Sequence, residues 1–429
     1  MPLRMCRVAR NLSSVVLGLL SLWAGHAVSA SQTAAHINDE QLPTTAVDAL
    51  SIRQVEDIRS RLMETVRQAL EDLIDQRLGT DEVPEATRAR ERAATYRSRN
   101  VKLLLPLPEA LESALPPDQI VAMIAQEPIR ASELERAAAL RLYRLRGELY
   151  LQRRRDLDRV IEQRLLQMEA QRQGITLEAL ERSLSQVKPV TDADVATFVS
   201  RERAAGRPVE DPERVRPYLE FQQRYQRRAS VLQGLRAATQ IRIDLRPPVR
   251  PQLPMDTRGG VTFGSTDGQI LVAYTNYACT LCRSTHRELD RLLAAKHPPR
   301  IVLRDFVNHP VALQAAALVR CADRNARAAS MRRYLLKHEP PRNDESWFST
   351  QQLESIASIV GMKPSELRVC IDAPEIRGQI AQDTESALRL GFDSAPAFVA
   401  AGVPLSGMQS AEQLAAALSG KVDPQLSVK

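Results

Sequence analysis

The chain has 429 residues, 59 of them Lys or Arg and 52 Asp or Glu, for a formal charge of +7, and aromatic residues make up only 4%. This length suits two or three domains, and abundant charge with few aromatics and few glycines describes a soluble, mainly helical protein. The arginines alternate with Glu and Asp as on a solvated helix face, so the mild positive excess does not mark a nucleic-acid binder.

Residues 1–30 place Arg4, Arg7 and Arg10 before an apolar run from Val15 to Trp23 that ends in the small residues Val28-Ser29-Ala30. This is the layout of a cleaved secretory signal peptide. The run is much shorter than the roughly 20 residues that cross a bilayer. Export to the periplasm is therefore expected, with Cys6 lost in the leader and the charge reduced to +4 (7 − 3). Four cysteines remain, Cys279, Cys282, Cys321 and Cys370, an even set suited to a disulfide-permitting compartment. Zinc takes four ligands, usually as two close pairs. Here only one close pair exists and the histidines are scattered, so neither metal nor cofactor is expected.

From residue 31 to 248 the pattern is helical. Shifting the chain by 87 residues lays Ile37 on Ile124, Glu40 on Glu127, Leu42 on Ile129, Leu62 on Leu149, and LEDLIDQRL (70–78) on LDRVIEQRL (157–165), without a gap. This divides the region into a shorter, degenerate repeat (31–115) and a fuller copy (116–248). Each copy passes from a short apolar stretch into a long amphipathic helix and ends near a β-type run before prolines, VKLLLPLP (101–108) and IRIDLRPP (241–248). In the second copy Leu134, Leu142, Leu145, Leu149, Leu157, Ile161, Leu165 and Met168 form one apolar face. Helices follow over 174–186 and 190–202, with Thr176 and Thr191 as N-caps and Gly174 as a stop, and a last helix runs from Pro212 to Ala238.

MIAQEPIRASELERA (123–137), LDRVIEQRLLQMEAQRQGIT (157–176), VTDADV and the closing IRIDL resemble the peptide-binding region of the SurA and trigger-factor chaperones. The resemblance implies an all-α N-terminal region of two degenerate repeats that holds unfolded polypeptide in an apolar cradle. No parvulin-like domain follows, so isomerase activity is not implied. The same helices offer a surface for a homodimer.

Prolines and glycines in RPPVRPQLPMDTRGG (246–260) break the helical pattern, and 249–260 are read as a linker. Beyond it, the apolar run QILVAYTNYA (269–278) predicts a buried strand, and CRSTHRELDRLLAAK, with Leu289, Leu292 and Leu293 at helical spacing, predicts a helix. Cys279-Thr280-Leu281-Cys282 thus falls where a strand ends and a helix begins. Unpaired N–H groups and positive polarisation at a helix start favour thiolate, and such settings take a cysteine from about 8.5 to roughly 3.5–7. Cys279 is expected to be the exposed attacking sulfur and Cys282 the resolving one. A fixed structural bridge is the competing reading, although a loop this short staples little chain.

Strand RIVLRDFVNHP (300–310), a helical stretch to about Leu390, GFDSAPAFVAAGVPLSG (391–407) and a final helix from Ser410 complete the order of an α/β thioredoxin fold over 261–422, with a helical insertion at about 308–390. YTNYACTLCRSTHREL, VLRDFVNHPVALQAAALVRCAD (302–323), SELRVCIDAPEI (365–376) and LGFDSAPAFVAAGVPLSG (390–407) resemble the DsbA-like thiol:disulfide oxidoreductases. By that resemblance Pro396 is the cis-proline facing the catalytic cysteines, preceded by Ala395, the two contacting substrate backbone. His286 falls where the family often has a histidine and is read as a packing residue. Thr280 and Leu281 depart from the family's usual proline followed by an aromatic residue or histidine, which leaves the direction of electron flow open. Cys321 and Cys370, in the insertion, are candidates for a structural disulfide, with two buried thiols as the alternative.

The expected protein is a periplasmic thiol:disulfide oxidoreductase whose helical arm delivers unfolded, cysteine-containing exported proteins to Cys279, recycled by a membrane redox partner and independent of nucleic acid. The alternative is a redox-inert holdase or assembly scaffold with a vestigial thioredoxin domain.

Overall fold

The computed structural model describes residues 32–80, 85–207, 211–341 and 344–421, and the expected leader with Cys6 lies outside them. The first part runs β1 (Thr33–Ile37), β2 (Glu40–Pro43), α1 (Thr44–Asp48), α2 (Ile52–Leu78), α3 (Glu85–Ser98), β3 (Val101–Leu103), β4 (Ile120–Ile124), β5 (Glu127–Arg130), α4 (Ala131–Ala137), α5 (Ala139–Gln173), α6 (Leu177–Ser185), α7 (Asp192–Ala204), α8 (Val215–Ala238) and β6 (Ile241–Ile243). The second runs β7 (Val261–Gly264), β8 (Ile270–Thr275), α9 (Thr280–Leu293), β9 (Arg300–Asp305), α10 (Pro310–Arg324), α11 (Ala328–Lys337), α12 (Thr350–Val360), α13 (Pro364–Ile371), α14 (Pro374–Leu390), β10 (Ala397–Ala400), β11 (Val403–Ser406) and α15 (Ala411–Leu418).

The N-terminal region is not all-α. Its strands form two three-stranded sheets, β2-β1-β6 and β3-β4-β5. Segments of four or five residues are too short for periodicity to separate strand from helix, and these form hairpins that turn at Asn38 and Ala125, both at positive φ (50° and 53°) and 87 residues apart. The sheets cross the boundary between the two stretches. The hairpin β1-β2 pairs with β6 from the end of the second stretch, and β4-β5 pairs with β3 from the end of the first. Matching bonds recur in each sheet: Asn38 N–H donates to Gln240 O (2.8 Å) and Ala125 N–H to Arg99 O (3.1 Å), while Asp244 N–H donates to Ala34 O (2.9 Å) and Leu104 N–H to Val121 O (2.9 Å). Neither stretch can therefore close its own sheet without the other.

Arginines expected to be solvated are partly buried here. Arg153 grips Asp48 through two bonds of 2.7 Å and reaches Glu112 at 2.8 Å, with the side chains of Arg153 and Asp48 at 7% and 6% exposure. Arg146 holds Glu135 in the same bidentate way. An apolar site tolerates such charges because every one is paired and hydrogen-bonded. Further along, Thr176 and Thr191 cap α6 and α7, and Gly174, at φ +68°, stops α5.

The C-terminal sheet has the order β11-β10-β8-β9-β7, with β8 and β9 parallel and the other pairs antiparallel. Side chains alternate between its faces. Leu271, Ala273, Ile301, Leu303, Phe398 and Ala400 join the core built with α9, α10, α14 and α15. Val272, Tyr274, Val302, Ala397 and Val399 face the other way, where Ala387 and Phe392 cover them together with Leu140 and Tyr143 of α5 and Leu253 of the connecting segment. The helical region thus supplies part of the cover of this sheet. Residues 256–429 expressed alone should unfold at a lower denaturant midpoint than the full chain, because the sheet loses the cover of Leu140, Tyr143 and Leu253, and burying one such side chain is worth about 1.5–3 kcal/mol. Trp347 fluorescence would report it, and equal midpoints would count against this interface. Among the described residues no helix is long and apolar enough to cross a membrane.

Candidate active site

Strand β8 ends at Thr275, and the chain turns through Asn276, Tyr277 and Ala278 into α9. The turn is tied by Ala278 N–H to Asn276 Oδ1 (2.9 Å) and Cys279 N–H to Asn276 O (3.3 Å). Cys279 is the N-cap of α9: its Sγ accepts the Cys282 N–H at 3.3 Å, and its carbonyl accepts Arg283 N–H at 3.0 Å. The cap position places the sulfur at the positive end of the helix. Cys279 is half-buried, whereas Cys282, one turn inward, is fully buried. The hydrogen bond to Cys279, burial and the charge on Cys279 all push the Cys282 thiol up, so it remains protonated.

Between the cysteines, Leu281 is 54% exposed and Thr280 Oγ1 donates to Glu339 at 3.3 Å. Glu339 also pairs with Arg283, whose other nitrogen donates to Leu336 O at 2.6 Å. Glu339 carries no sequence signal, lying more than fifty residues from the motif. His286 is fully buried, stacked on Tyr277 at 5.3 Å between centroids. Arg332 Nε donates to its Nδ1 (3.1 Å), so Nε2 carries the hydrogen toward Thr275 Oγ1 (2.9 Å). Burial, then the adjacent Arg332, depress its pKa well below the usual histidine value and keep it neutral. It orients by hydrogen bonding and does not carry protons to solvent.

The Ala395–Pro396 peptide is cis. It leads into β10, whose Ala397 pairs with Tyr274, so Pro396 stands at the end of β8 that feeds Cys279. Gly407 N–H donates to Pro396 O at 2.9 Å and holds the turn from the β11 side. Cys321 on α10 and Cys370 on α13 form a disulfide with Cα atoms 5.9 Å apart, within the core of the helical insertion.

Behind the strand ends lies a buried charge network. Arg304 donates to Asp383 Oδ1 (2.9 Å), Arg320 to Asp305 (2.7 Å) and to Asp383, and Asp305 N–H to Asp383 Oδ2 (3.0 Å). Burial, outweighing the arginines, raises Asp383 to about 6 and pushes Asp305 upward as well. No group of histidines, cysteines and carboxylates among the described residues is arranged to hold a metal.

Residues 256–419 match the family described as thioredoxin. This part of the chain is a thioredoxin-like domain. The domain is similar to a thioredoxin-like oxidoreductase from Silicibacter pomeroyi, at 25% identity over 38% of this chain and 92% of that one, with a TM-score of 0.35. It is similar also to the thiol-disulfide exchange protein alpha-DsbA2 from Wolbachia pipientis (16% identity, 38% and 88% coverage, TM-score 0.34). A third such structure is oxidised BdbD from Bacillus subtilis (14%, 40% and 95%, 0.35). No curated protein matches the chain. In the thioredoxin-like domain the CxxC motif and the cis-proline share one end of the sheet, and the disulfide lies in the helical insertion.

Proposed function

We propose that the protein is a periplasmic thiol:disulfide oxidoreductase of DsbA-like type, acting on cysteine-containing exported proteins that its helical region holds while unfolded. The observation that carries this reading is the half-exposed Cys279 capping α9 with the buried, protonated Cys282 one turn behind it. An outer sulfur at a helix N-terminus can attack, and an inner one within reach can resolve.

As a reductant, the Cys279 thiolate attacks one sulfur of a client disulfide; that S–S bond breaks, and the departing client thiolate takes a proton. Cys282 then loses its proton and attacks Cys279 Sγ, releasing the second client thiolate and leaving a Cys279–Cys282 disulfide. Two electrons have passed from the enzyme dithiol to the client. The same steps in reverse oxidise a client dithiol, and resolution by another client cysteine isomerises without net electron transfer. A membrane redox partner would reset the pair. The leader-like residues 1–30 and the Cys321–Cys370 bridge support an oxidising compartment. Ala395 and Pro396 would pair with an extended client strand.

Insulin reduction and scrambled-ribonuclease refolding test the proposal, with Cys279→Ser as control. Activity is expected in the wild type and abolished in the variant; equal rates would leave a redox-inert holdase or scaffold instead.

A further inference from the structure

The loop that carries Pro396 is gripped from the helical region. On α5, Arg144 Nη1 donates to Gly391 O at 2.9 Å and lies 3.5 Å from Asp393 Oδ2, while Nη2 donates to Ser406 Oγ at 2.8 Å. All three acceptors flank the cis peptide. Gly391 and Asp393 stand in the approach to it, and Ser406 pairs with Ala397 just after it. One residue on, Gly407 N–H holds Pro396 O.

The docking is close. Gly391 is at φ +92°, and a Cβ there would stand 3.1 Å from Arg141 Cγ and 3.3 Å from Leu140 Cβ, so α5 and the loop meet nearly backbone to backbone. Leu140 and Tyr143 on the same helix pack with Phe392, Ala397 and Val399, and Ala395 packs against that cluster. A planar guanidinium satisfies acceptors in two strands of chain at once, which an ammonium point charge cannot do with the same geometry.

We propose that Arg144 is a positioning residue for client exchange: it holds loop 391–396 against β11 and so sets where Ala395 and Pro396 meet an extended, cysteine-bearing polypeptide. This rests on the oxidoreductase reading. It makes the helical region part of the client-engaging machinery through a second route, beyond any holding of unfolded chain. A substrate that touches only Sγ should be indifferent to the clamp, and a peptide that pairs with the loop should not.

The test compares full-length wild type, Arg144→Ala and Arg144→Lys on a quenched-fluorescent peptide disulfide and on cystamine, with the Cys279–Cys282 reduction potential and thermal unfolding measured alongside. Misplacing a positioning group costs up to two orders of magnitude in rate; here Arg144→Ala is expected to lower kcat/KM for the peptide on the order of ten-fold, through KM. The cystamine rate and the potential should be unchanged, and Arg144→Lys should show a smaller loss. An unchanged peptide kcat/KM would overturn the proposal, as would equal losses on both substrates, which would mark general damage. If wild type and Cys279→Ser turn over both disulfides alike, the oxidoreductase reading itself fails and this inference falls with it.

Discussion

Cys282→Ser is expected to trap clients as covalent adducts. Cys279 stays half-exposed at the N-terminus of α9, so attack on a client disulfide still forms the mixed disulfide. Serine cannot complete the second exchange, so the adduct persists until another thiol releases it. Turnover should fall by orders of magnitude, as it does when one member of a concerted set is removed. A non-reducing gel should show one client per chain, reversed by dithiothreitol. Cys279→Ser should form none, because Cys282 is fully buried, out of reach of a client disulfide, and burial disfavours its thiolate. Adducts of equal yield in a Cys279→Ser/Cys282→Ser double variant would assign the reactivity elsewhere and defeat the mechanism.

Local signals carried much of this site. An apolar β run followed by leucines at helical spacing places the CxxC motif at a strand–helix junction, and the chain folds so, with Cys279 at the cap. The threonine caps of α6 and α7 were readable because a cap is decided by three or four neighbouring residues. What escaped was long-range. The strand β6 pairs with a hairpin some two hundred residues earlier, and nothing in IRI says which partner it takes. The reading of the arginines as solvated surface failed for Arg146, Arg153, Arg304 and Arg320, since the carboxylates that permit their burial come from other elements. Arg144 has the same history: on α5 alone it is one more charged residue, and its role exists only against Gly391 and Ser406.

Asp383→Asn should cost the thioredoxin-like domain about 1–3 kcal/mol, the range for leaving a buried donor without its acceptor. Asp383 takes Arg304 on one oxygen and Arg320 with the Asp305 N–H on the other. An amide offers one acceptor and turns its NH2 toward a guanidinium. Arg320 would then rely on Asp305, and Arg304 on the partly exposed Asp256 at 3.2 Å. The variant should also change the pH profile. Asp383, raised to about 6, binds its proton more tightly folded than unfolded, so its contribution to stability is complete below the ordinary aspartate value near 3.8 and is lost as pH rises through about 6. His286 acts oppositely: depressed by burial, it contributes above 6.5 and loses that contribution as pH falls. Between pH 6 and 4 the two oppose each other in the wild type, with Asp305 on the side of Asp383. Asp383→Asn removes one arm of this balance and should lose stability on acidification more steeply, by up to about 1.4 kcal/mol per pH unit for each uncompensated proton. Denaturant titrations followed by Trp347 at pH 4, 5, 6 and 7 would show it. Parallel profiles for the two proteins would mean that Asp383 remains ionised in the folded state throughout this range, so that the arginines outweigh burial in setting its charge.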